Sequence, residues 1–351
     1  MTNDLENIKK AFFLLKICRA ACPIAEVTGR ETYTPSFILR TIYYLKTKQL
    51  NATADNLKPL YMCMLCGRCT NYCEGVLQFQ DIIEDARLEI GTEIESLIDK
   101  EALNTVEKDI LENYTTRLSN FTKNGNGDTI VYIGYNYSHH PELIKNILEL
   151  LEKTIGEFDV LGEKEPYCGT IYYDLGIKEK AIKHSQKTLE TLNQYKNVII
   201  LDPDSLKTIK HRYPKHGLTP KPKIYHYLEI LTNHIEKIKA RTEIEPDTTY
   251  IDPCELVQLN IIEQPRKILE KTGIKIRELQ YTKKTTYPTG SCGSFHLINK
   301  EIANQITQKR YEEIKETNIK TIITTHPKII KNLKKYNDIK TYDLSQIIQI
   351  E

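Results

Sequence analysis

The chain has 351 residues, with 49 lysines and arginines, 47 aspartates and glutamates, and a formal net charge of +2. So balanced a charge gives no electrostatic reason to expect a nucleic acid or an anionic membrane surface as a partner. The sequence lacks an apolar run of the roughly 20 residues that a bilayer-spanning helix needs, and its polar start is unlike a signal peptide. We therefore expect a cytoplasmic protein with no membrane span, for which peripheral association with a membrane-bound partner stays open.

Residues 1–122 are predicted to form a helical domain. Apolar residues recur in it with a helical period, and Pro35 is a typical first residue of a helix. The segment 123–128 is rich in glycine and asparagine, which makes it the best candidate for a domain boundary.

The remaining sequence repeats one pattern twice, over residues 128–240 and 245–351. Each half has a strand, a helix, a Cys-Gly loop, a second helix, a second strand, an Xaa-Pro pair and a closing helix. The four predicted strands cover 129–133, 197–201, 248–251 and 320–324, and a helix over 225–240 is predicted to link the halves. Strands that alternate with helices are typical of duplicated α/β domains with parallel sheets, where ligands bind beyond the carboxyl ends of the strands.

The nine cysteines are informative because clustered thiols in a cytosolic protein usually bind metal rather than form disulfides. Cys63, Cys66, Cys69 and Cys73 follow the spacing C-x2-C-x2-C-x3-C. This spacing lets three thiolates surround one face of a [4Fe–4S] cluster, while the fourth usually serves a different cluster. A zinc site would use only two of these cysteine pairs and leaves the third spacing unexplained. We therefore predict an iron–sulfur cluster on the first three of these cysteines.

Cys22 is predicted to be the fourth ligand. It forms C-x3-C-P with Cys18, the closing part of the same motif, and the ligand sets of two-cluster modules cross over. When the ligand sets cross over, Cys22 joins Cys63, Cys66 and Cys69, and these four cysteines complete one [4Fe–4S] cluster. A second cluster would need cysteines at the positions of Phe12 and Leu15. We therefore expect Cys18 and Cys73 to be a remnant pair, and the second site to be filled by those two apolar side chains.

With these residues, the chain resembles the iron–sulfur proteins that join a two-cluster ferredoxin-type helical module to a duplicated cysteine-rich "CCG" domain. The iron–sulfur subunits of heterodisulfide reductase and of glycolate oxidase are known members. The resemblance covers nearly the whole chain and implies an iron–sulfur redox function with a redox partner protein or complex. The motifs that carry it are 18–23, 63–73, Tyr167-Cys168-Gly169, Tyr250-Ile251-Asp252-Pro253-Cys254, Ser291-Cys292-Gly293 and Thr324-Thr325-His326-Pro327.

The duplicated part departs from the family's motifs. In the family, each half has one cysteine after the first strand, a Cys-Cys-Gly and a Cys-Pro-x-Cys, and these thiolates hold a noncubane cluster in the disulfide reductases. Here the first half keeps only Cys168, with Tyr135 and Asp202-Pro203-Asp204-Ser205 at the other motif positions. A noncubane cluster needs more thiolates, so the sequence argues against the family's disulfide-reducing chemistry.

The second half keeps Cys254 and Cys292, with His326 at the third motif position. Two thiolates and an imidazole suit Zn²⁺ or Fe²⁺, with a fourth position that is open or occupied by His296. These three residues are the candidate ligands of a second metal. The alternative is that both cysteines are small buried apolar residues of a degenerate pocket.

The sequence favours an electron-transfer protein with one [4Fe–4S] cluster, acting as a subunit or partner of an anaerobic redox enzyme complex. Two alternatives stay open. One is an enzyme like heterodisulfide reductase that acts on a thiol or disulfide, and the other is a non-redox assembly protein with a structural cluster. The sequence has no glycine-rich phosphate loop that would indicate a nucleotide cofactor, and it identifies no catalytic residue.

Overall fold

A computed structural model describes residues 2–10, 17–73, 77–90, 96–241, 244 and 247–351. Its helices, in chain order, are α1 (Thr2–Lys10), α2 (Ile17–Ala21), α3 (Pro23–Thr28), α4 (Pro35–Lys46), α5 (Ala54–Tyr61), α6 (Arg68–Tyr72), α7 (Phe79–Ile90), α8 (Lys100–Glu112), α9 (Tyr114–Leu118), α10 (Tyr135–Ser138), α11 (Pro141–Ile155), α12 (Thr170–Leu175), α13 (Lys178–Leu192), α14 (Pro203–Lys207), α15 (Tyr213–Lys215), α16 (Tyr227–Asn233), α17 (Cys254–Gln258), α18 (Glu263–Lys271), α19 (Lys300–Glu316), α20 (Pro327–Leu333) and α21 (Leu344–Ile347). Its strands are β1 (Thr129–Tyr132), β2 (Asp159–Val160), β3 (Asn197–Ile200), β4 (Lys223–His226), β5 (Ile238–Ala240), β6 (Thr248–Tyr250), β7 (Thr321–Thr324), β8 (Lys340–Asp343) and β9 (Ile348–Ile350). None of the described helices is long and apolar enough to cross a membrane.

Helices precede the first strand, as the sequence predicts. Helix α4 begins with Pro35 in its first turn. Its apolar face, with Ile38 and Ile42, is fully buried and packs against α7, where Ile83 and Ala86 are also buried. Apolar residues spaced three or four apart on both helices therefore supply the core of the helical part.

The chain divides into two compact units, each assembled from three segments. The first unit is residues 1–104, 171–181 and 284–312, and the second is residues 105–170, 182–283 and 313–351. The segment that carries Cys292 thus belongs to the same unit as the N-terminal cysteines. The predicted domains 1–122, 128–240 and 245–351 follow the sequence repeat instead, and they stay a prediction.

The second unit contains the parallel sheets that the duplicated sequence predicts. One sheet has the strand order β2-β1-β3-β4 and the other has β6-β7-β8, with parallel pairing throughout. Strands β5 and β9 form a separate antiparallel pair. The residues of β6 and β7 are all buried, as expected where helices cover both faces of a parallel sheet. The α/β class is confirmed.

The predicted helix over 225–240 is wrong. Residues 223–226 form β4, which pairs with β3 so that Tyr225 lies opposite Ile199. The helical residues are those of α16 and a short 3-10 helix over Ile235–Lys237, and residues 238–240 form β5 against β9. An apolar stretch of this length fits either periodicity, and pairing with a distant strand decided the outcome.

The strand registers relate the two halves residue by residue. Thr129 of β1 lies opposite Asn197 of β3, and Thr248 of β6 lies opposite Thr321 of β7. Two residues are matched when they stand at the same distance along the chain from the corresponding strand positions of the two halves. Three matched pairs follow the strands. They are Asn136 with Glu255, Asp202 with His326, and Asp204 with Lys328.

Candidate metal centres

Cys63, Cys66 and Cys69 lie on a tight loop between α5 and α6 and at the start of α6. Two loop residues adopt the left-handed backbone conformation, Leu65 with φ 53° and Gly67 with φ 74°. Only glycine accepts this conformation without strain. Burial raises the pKa of both Cys66 and Cys69, and the charge of Cys63 raises it further, as expected for thiols held near one another by these turns.

Cys22 lies against the same loop. It is the N-cap residue of α3, and packing of α2 against α6 brings it there. Burial raises the pKa of its thiol to about 12, and the charge of Cys63 adds to the effect. The charge of Cys22 in turn raises the pKa of Cys66 and Cys69. The four thiols named by the crossed motif are therefore neighbours.

Cys18 and Cys73 form the adjacent pair. Cys18 is buried and Cys73 is partly exposed. Burial raises the pKa of Cys73, and the charge of Cys18 raises it further. Phe12 and Leu15, which the sequence analysis expects to fill a second cluster site, lie outside the described residues.

Backbone N–H groups donate to the sulfurs of three of the four neighbouring thiols. The Leu65 N–H donates to the sulfur of Cys63 over 3.4 Å. The N–H of Arg68 bonds to Cys66, and those of Ala25 and Ile24 bond to Cys22. Hydrogen bonds to ligand sulfurs are one of the means by which a protein sets the potential of a cluster.

The guanidinium of Arg87 is completely buried beside these cysteines. It donates to the carbonyl oxygen of Leu60 over 2.6 and 3.1 Å, to that of Asp174 over 2.6 Å, and to that of Cys63. It also lies over the ring of Tyr61. In the described part of the chain no carboxylate is among its partners. Arginine stays charged in proteins, so a cation is held here without a paired anion.

The donor set and the buried cation fit an iron–sulfur cluster. Four thiols with raised pKa values are unfavourable as thiolates unless positive charge compensates them. Iron supplies that charge to the thiolates, and the net negative charge of a four-thiolate cluster is a suitable counterion for Arg87. Ligands of a cubane bind different irons, so their sulfurs need not approach as closely as the ligands of one ion.

Cys292 lies near Cys66, a neighbour that the sequence did not predict. Its charge is the strongest charge effect on the pKa of Cys66, second only to burial. The following Gly293 has φ 57°, and a Cβ there would lie 2.7 Å from the carbonyl oxygen of Met64. Ser294 then donates to the Asp174 carboxylate over 2.6 Å. The glycine of this Cys-Gly loop therefore permits close contact with the cysteine-rich loop.

The other two thiols of the duplicated part lie in the second unit. Cys168 is completely buried, with Thr170 Oγ1 at 3.0 Å and Ser205 Oγ at 3.5 Å from its sulfur. Burial raises its pKa. Cys254 is buried at the first turn of α17. The predicted set of Cys254, Cys292 and His326 thus has its members in different units, and it stays a prediction.

A buried polar centre lies in the second unit, at the carboxyl ends of β1, β3, β6 and β7. We use this name for six residues: Asn136, Asp202, Asp204, Glu255, His326 and Lys328. They are the matched pairs of the two halves. One ligand atom from each of Asp202, Asp204 and His326 lies within 4.8 Å of the others, and all three residues are buried.

Hydrogen bonds fix the two aspartates of the polar centre. Asn136 Nδ2 donates to Asp202 over 2.9 Å and to Asp204 over 2.7 Å. Ser205 Oγ donates to Asp202 over 2.6 Å, and Lys328 Nζ lies 2.5 Å from Asp204 Oδ2. His326 Nε2 lies 3.6 Å from the same oxygen.

The protonation states of these residues follow from burial and charge. Burial raises the pKa of Asp202, and the charge of Asp204 raises it further. Burial raises the pKa of Glu255 in the same way. Burial alone would raise the pKa of Asp204 too, but Lys328 and His326 hold it well below its usual range. Asp204 in turn raises the pKa of His326 against the effect of burial.

The sequence motifs indicate His326, and the aspartates only as departures from a cysteine motif. They do not indicate Asn136, Glu255 or Lys328. All three nevertheless stand at matched positions of the repeat, four or five residues after the end of a strand. Only the register of the strands shows which residues are matched.

Comparison with known proteins gives a family match and several distant relatives. Residues 248–328 match the cysteine-rich domain called CCG. The chain is 25% identical over 334 residues to one of the subunits of fumarate reductase (CoM/CoB) from Methanothermobacter marburgensis. The aligned region covers 88% of this chain and 64% of that protein. It is 24% identical over 206 residues to one of the subunits of dihydromethanophenazine:CoB–CoM heterodisulfide reductase from Methanosarcina acetivorans, covering 56% of this chain and 50% of that protein.

A third relative is EtfAB:quinone oxidoreductase of Syntrophomonas wolfei, 27% identical over 189 residues, covering 52% of this chain and 26% of that protein. The chain therefore spans less than two thirds of the length of each of these relatives. A solved structure of a hypothetical protein from Helicobacter pylori has a TM-score of 0.53 at 14% identity, over 89% of this chain and 66% of that one. The likeness to it concerns the fold alone. The CCG match and these relatives confirm the resemblance inferred from the sequence motifs.

Proposed function

We propose that this chain is an iron–sulfur electron-transfer subunit of an anaerobic redox enzyme complex, with one [4Fe–4S] cluster on Cys22, Cys63, Cys66 and Cys69. The observation that carries the proposal is the mutual proximity of these four thiols. Three come from one loop and the fourth from a helix 41 residues before it, as the crossed motif requires. When bound, such a cluster takes up and releases single electrons.

The relatives support the redox part of the proposal. By name they belong to a fumarate reductase, a heterodisulfide reductase and an EtfAB:quinone oxidoreductase. Oxidation and reduction move electrons from one partner to another. We accordingly assign this chain a redox partner protein or complex, cytoplasmic or at a membrane surface.

The chain's own residues would hold the cluster and set its potential. The loop with Leu65 and Gly67 in left-handed conformation orients the ligands, and backbone N–H groups bond to their sulfurs. Arg87 holds the Cys63 carbonyl and supplies positive charge. Cys69 is buried and the other three ligands are partly buried, which lowers the local dielectric and strengthens both effects.

Iron and acid-labile sulfide on protein purified without oxygen test this proposal. The wild type should hold about four of each, as expected for one cubane. Cys22→Ala should lose most of the iron. Cys73→Ala is the matched control, since it removes a thiol of the same motif and should retain the iron. Retention in Cys22→Ala with loss in Cys73→Ala would show that the fourth ligand is wrong.

Electron transfer itself is tested by redox titration with EPR detection. A reversible one-electron signal within roughly −700 to +450 mV, the range of such clusters, supports the electron-transfer function. A cluster that stays unreduced over this range would instead indicate the structural role in a non-redox assembly protein.

The alternative function is an enzyme that acts on a thiol or disulfide. It would use the thiol of Cys292, which lies near Cys66. Against it, burial raises the pKa of Cys168, and a thiol is a nucleophile only as the thiolate. The double variant Cys254→Ser, Cys292→Ser separates the two functions. Disulfide reduction that survives in it would exclude this alternative.

A further inference from the structure

The polar centre of the second unit takes no part in the proposed iron–sulfur cluster, so its buried charged residues need a separate explanation. Its residues follow β1, β3, β6 and β7, so they lie at the carboxyl ends of parallel strands, where α/β domains bind their ligands. The two halves of the duplication contribute matched positions to one place. Asp202 and His326 are the N-cap residues of α14 and α20, and each accepts a hydrogen bond from its own helix. Their positions are therefore fixed by the fold.

We propose that Asp202, Asp204, Glu255 and His326 bind a single divalent transition-metal ion, with two carboxylates and the imidazole as the central ligands. The ligand atoms of Asp202, Asp204 and His326 lie within 4.8 Å of one another. That separation is compatible with ligands of one ion, whose bonds are about 2.0–2.2 Å long. This inference does not depend on the proposed iron–sulfur cluster.

Glu255 gives a second, independent reason. Its side chain is only 6% exposed, and Oε2 points to His326 with 3.8 Å to Nε2, which is longer than a hydrogen bond. Its own backbone N–H donates to the carboxylate, and the imidazole of His326 is its ion-pair partner at that longer distance. A buried carboxylate held by so long an ion pair is incompletely compensated, which is costly. A metal ion between Glu255, His326 and the aspartates would satisfy it.

The balance of buried charge points the same way. Within the polar centre, three carboxylates face one lysine and one histidine, and four of these five side chains are almost completely buried. Lys328 is the exception, with 19% of its side chain exposed. It now pairs with Asp204, so it competes with a cation for that carboxylate. Its exposed stem allows the ammonium to turn towards solvent when an ion binds.

The ligands indicate which ion would bind. Carboxylate oxygens with one imidazole suit Mn²⁺, Fe²⁺ or Zn²⁺ better than a soft, thiolate-preferring ion. Asn136 and Ser205 bond to the aspartates and would act as the outer hydrogen bonds that orient metal ligands.

Titration with Mn²⁺, followed by the EPR signal of the free ion, tests the proposal on the full chain. Mn²⁺ has little preference for thiolates, so its binding reports this oxygen and nitrogen site rather than the cysteine cluster. We expect one saturable site per chain. Asp204→Asn and His326→Gln should each weaken binding roughly tenfold or more, which is the scale of losing a metal contact.

The variant Lys328→Met tests the proposal even if the ligand variants fail to fold, because it removes a competing side chain and not a ligand. Removal of the competing ammonium should strengthen Mn²⁺ binding, by roughly tenfold if the ion pair contributes about 1.4 kcal/mol. Glu263→Gln removes an exposed carboxylate of the same unit that pairs with Lys283; it is the matched control and should bind as the wild type does. No saturable binding at millimolar Mn²⁺, or weaker binding in Lys328→Met, would overturn the proposal. Loss of binding in Cys254→Ala with retention in Asp204→Asn would assign the metal to the thiol instead.

Discussion

The completely buried guanidinium of Arg87 donates a hydrogen bond to the carbonyl oxygen of Cys63. A permanent positive charge is thereby held on the backbone of a proposed cluster ligand. Positive charge near a cluster favours its reduced, more negative form. The contact links the position of the loop to the potential of the cluster.

Substitution of Arg87 should therefore change the potential more than the iron content. We expect Arg87→Gln to lower the reduction potential by roughly 60 mV, the shift that corresponds to a tenfold change in a one-electron equilibrium. Arg87→Lys keeps the charge and should give a smaller shift. EPR-monitored redox titration measures both. Arg19, half-exposed and paired with Glu31, supplies the control Arg19→Gln, and an equal shift there would refute a specific role of Arg87.

Cys292 is expected to neighbour the cluster without holding it. Cys292→Ala should therefore retain the iron of the wild type, whereas Cys66→Ala should lose it. Removal of the neighbouring thiol should still alter the EPR line shape or the potential, because Cys292 is the strongest charge influence on Cys66. Loss of iron in Cys292→Ala would mean that this cysteine is a ligand in place of one of the four.

Gly134 in the second unit should tolerate no side chain. It has φ 88°, and a Cβ would lie 2.4 Å from Cβ of Asp202, so both backbone and packing oppose a substitution. We expect Gly134→Ala to lower the free energy of unfolding by about 3 kcal/mol, from overpacking and left-handed strain together. Gly156→Ala is the matched control, because φ there is 80° and no atom lies within 4 Å. It should lose only about 1 kcal/mol, and chemical denaturation of both variants makes the comparison.

Glu165 should make the stability of the protein depend on pH. Burial raises its pKa to about 7, although Tyr114 and the N–H groups of Ile133 and Gly134 bond to its carboxylate. The folded state thus binds this proton more tightly than the unfolded chain, where the pKa is about 4.3. The favourable contribution is complete below about pH 4 and is lost as the pH rises to about 7.

Over that range the stability contributed by Glu165 should fall by roughly 4 kcal/mol, since one pKa unit corresponds to 1.36 kcal/mol. Glu165→Gln should remove this decline, and the comparison of unfolding free energies between pH 4 and pH 8 measures it. Glu163→Gln, an exposed substitution two residues away, controls for the general loss of a carboxylate. A decline that persists unchanged in Glu165→Gln would contradict the raised pKa.

The sequence was a good guide wherever the relevant information is local. Strands β1, β3, β6 and β7 lie within a residue of their predicted ends, because short β-branched runs bounded by turn residues are a strong local signal. It failed over 225–240, where pairing with a distant strand selects the conformation. The grouping of Cys292 with Cys254 and His326 stays a prediction, because their order in the family's motif says nothing about which segment packs against which.

By itself, the sequence determined the cysteine spacing, the α/β repeat and the resemblance to iron–sulfur subunits, and it predicted the crossed set with Cys22. The first three depend on patterns along the chain, which covalent geometry converts into local structure. Only the tertiary structure decided that Cys292 lies beside Cys66 and that Asp202, Asp204, Glu255 and His326 meet. Those contacts join segments tens to hundreds of residues apart. They arise from strand register and helix packing, which no local pattern encodes.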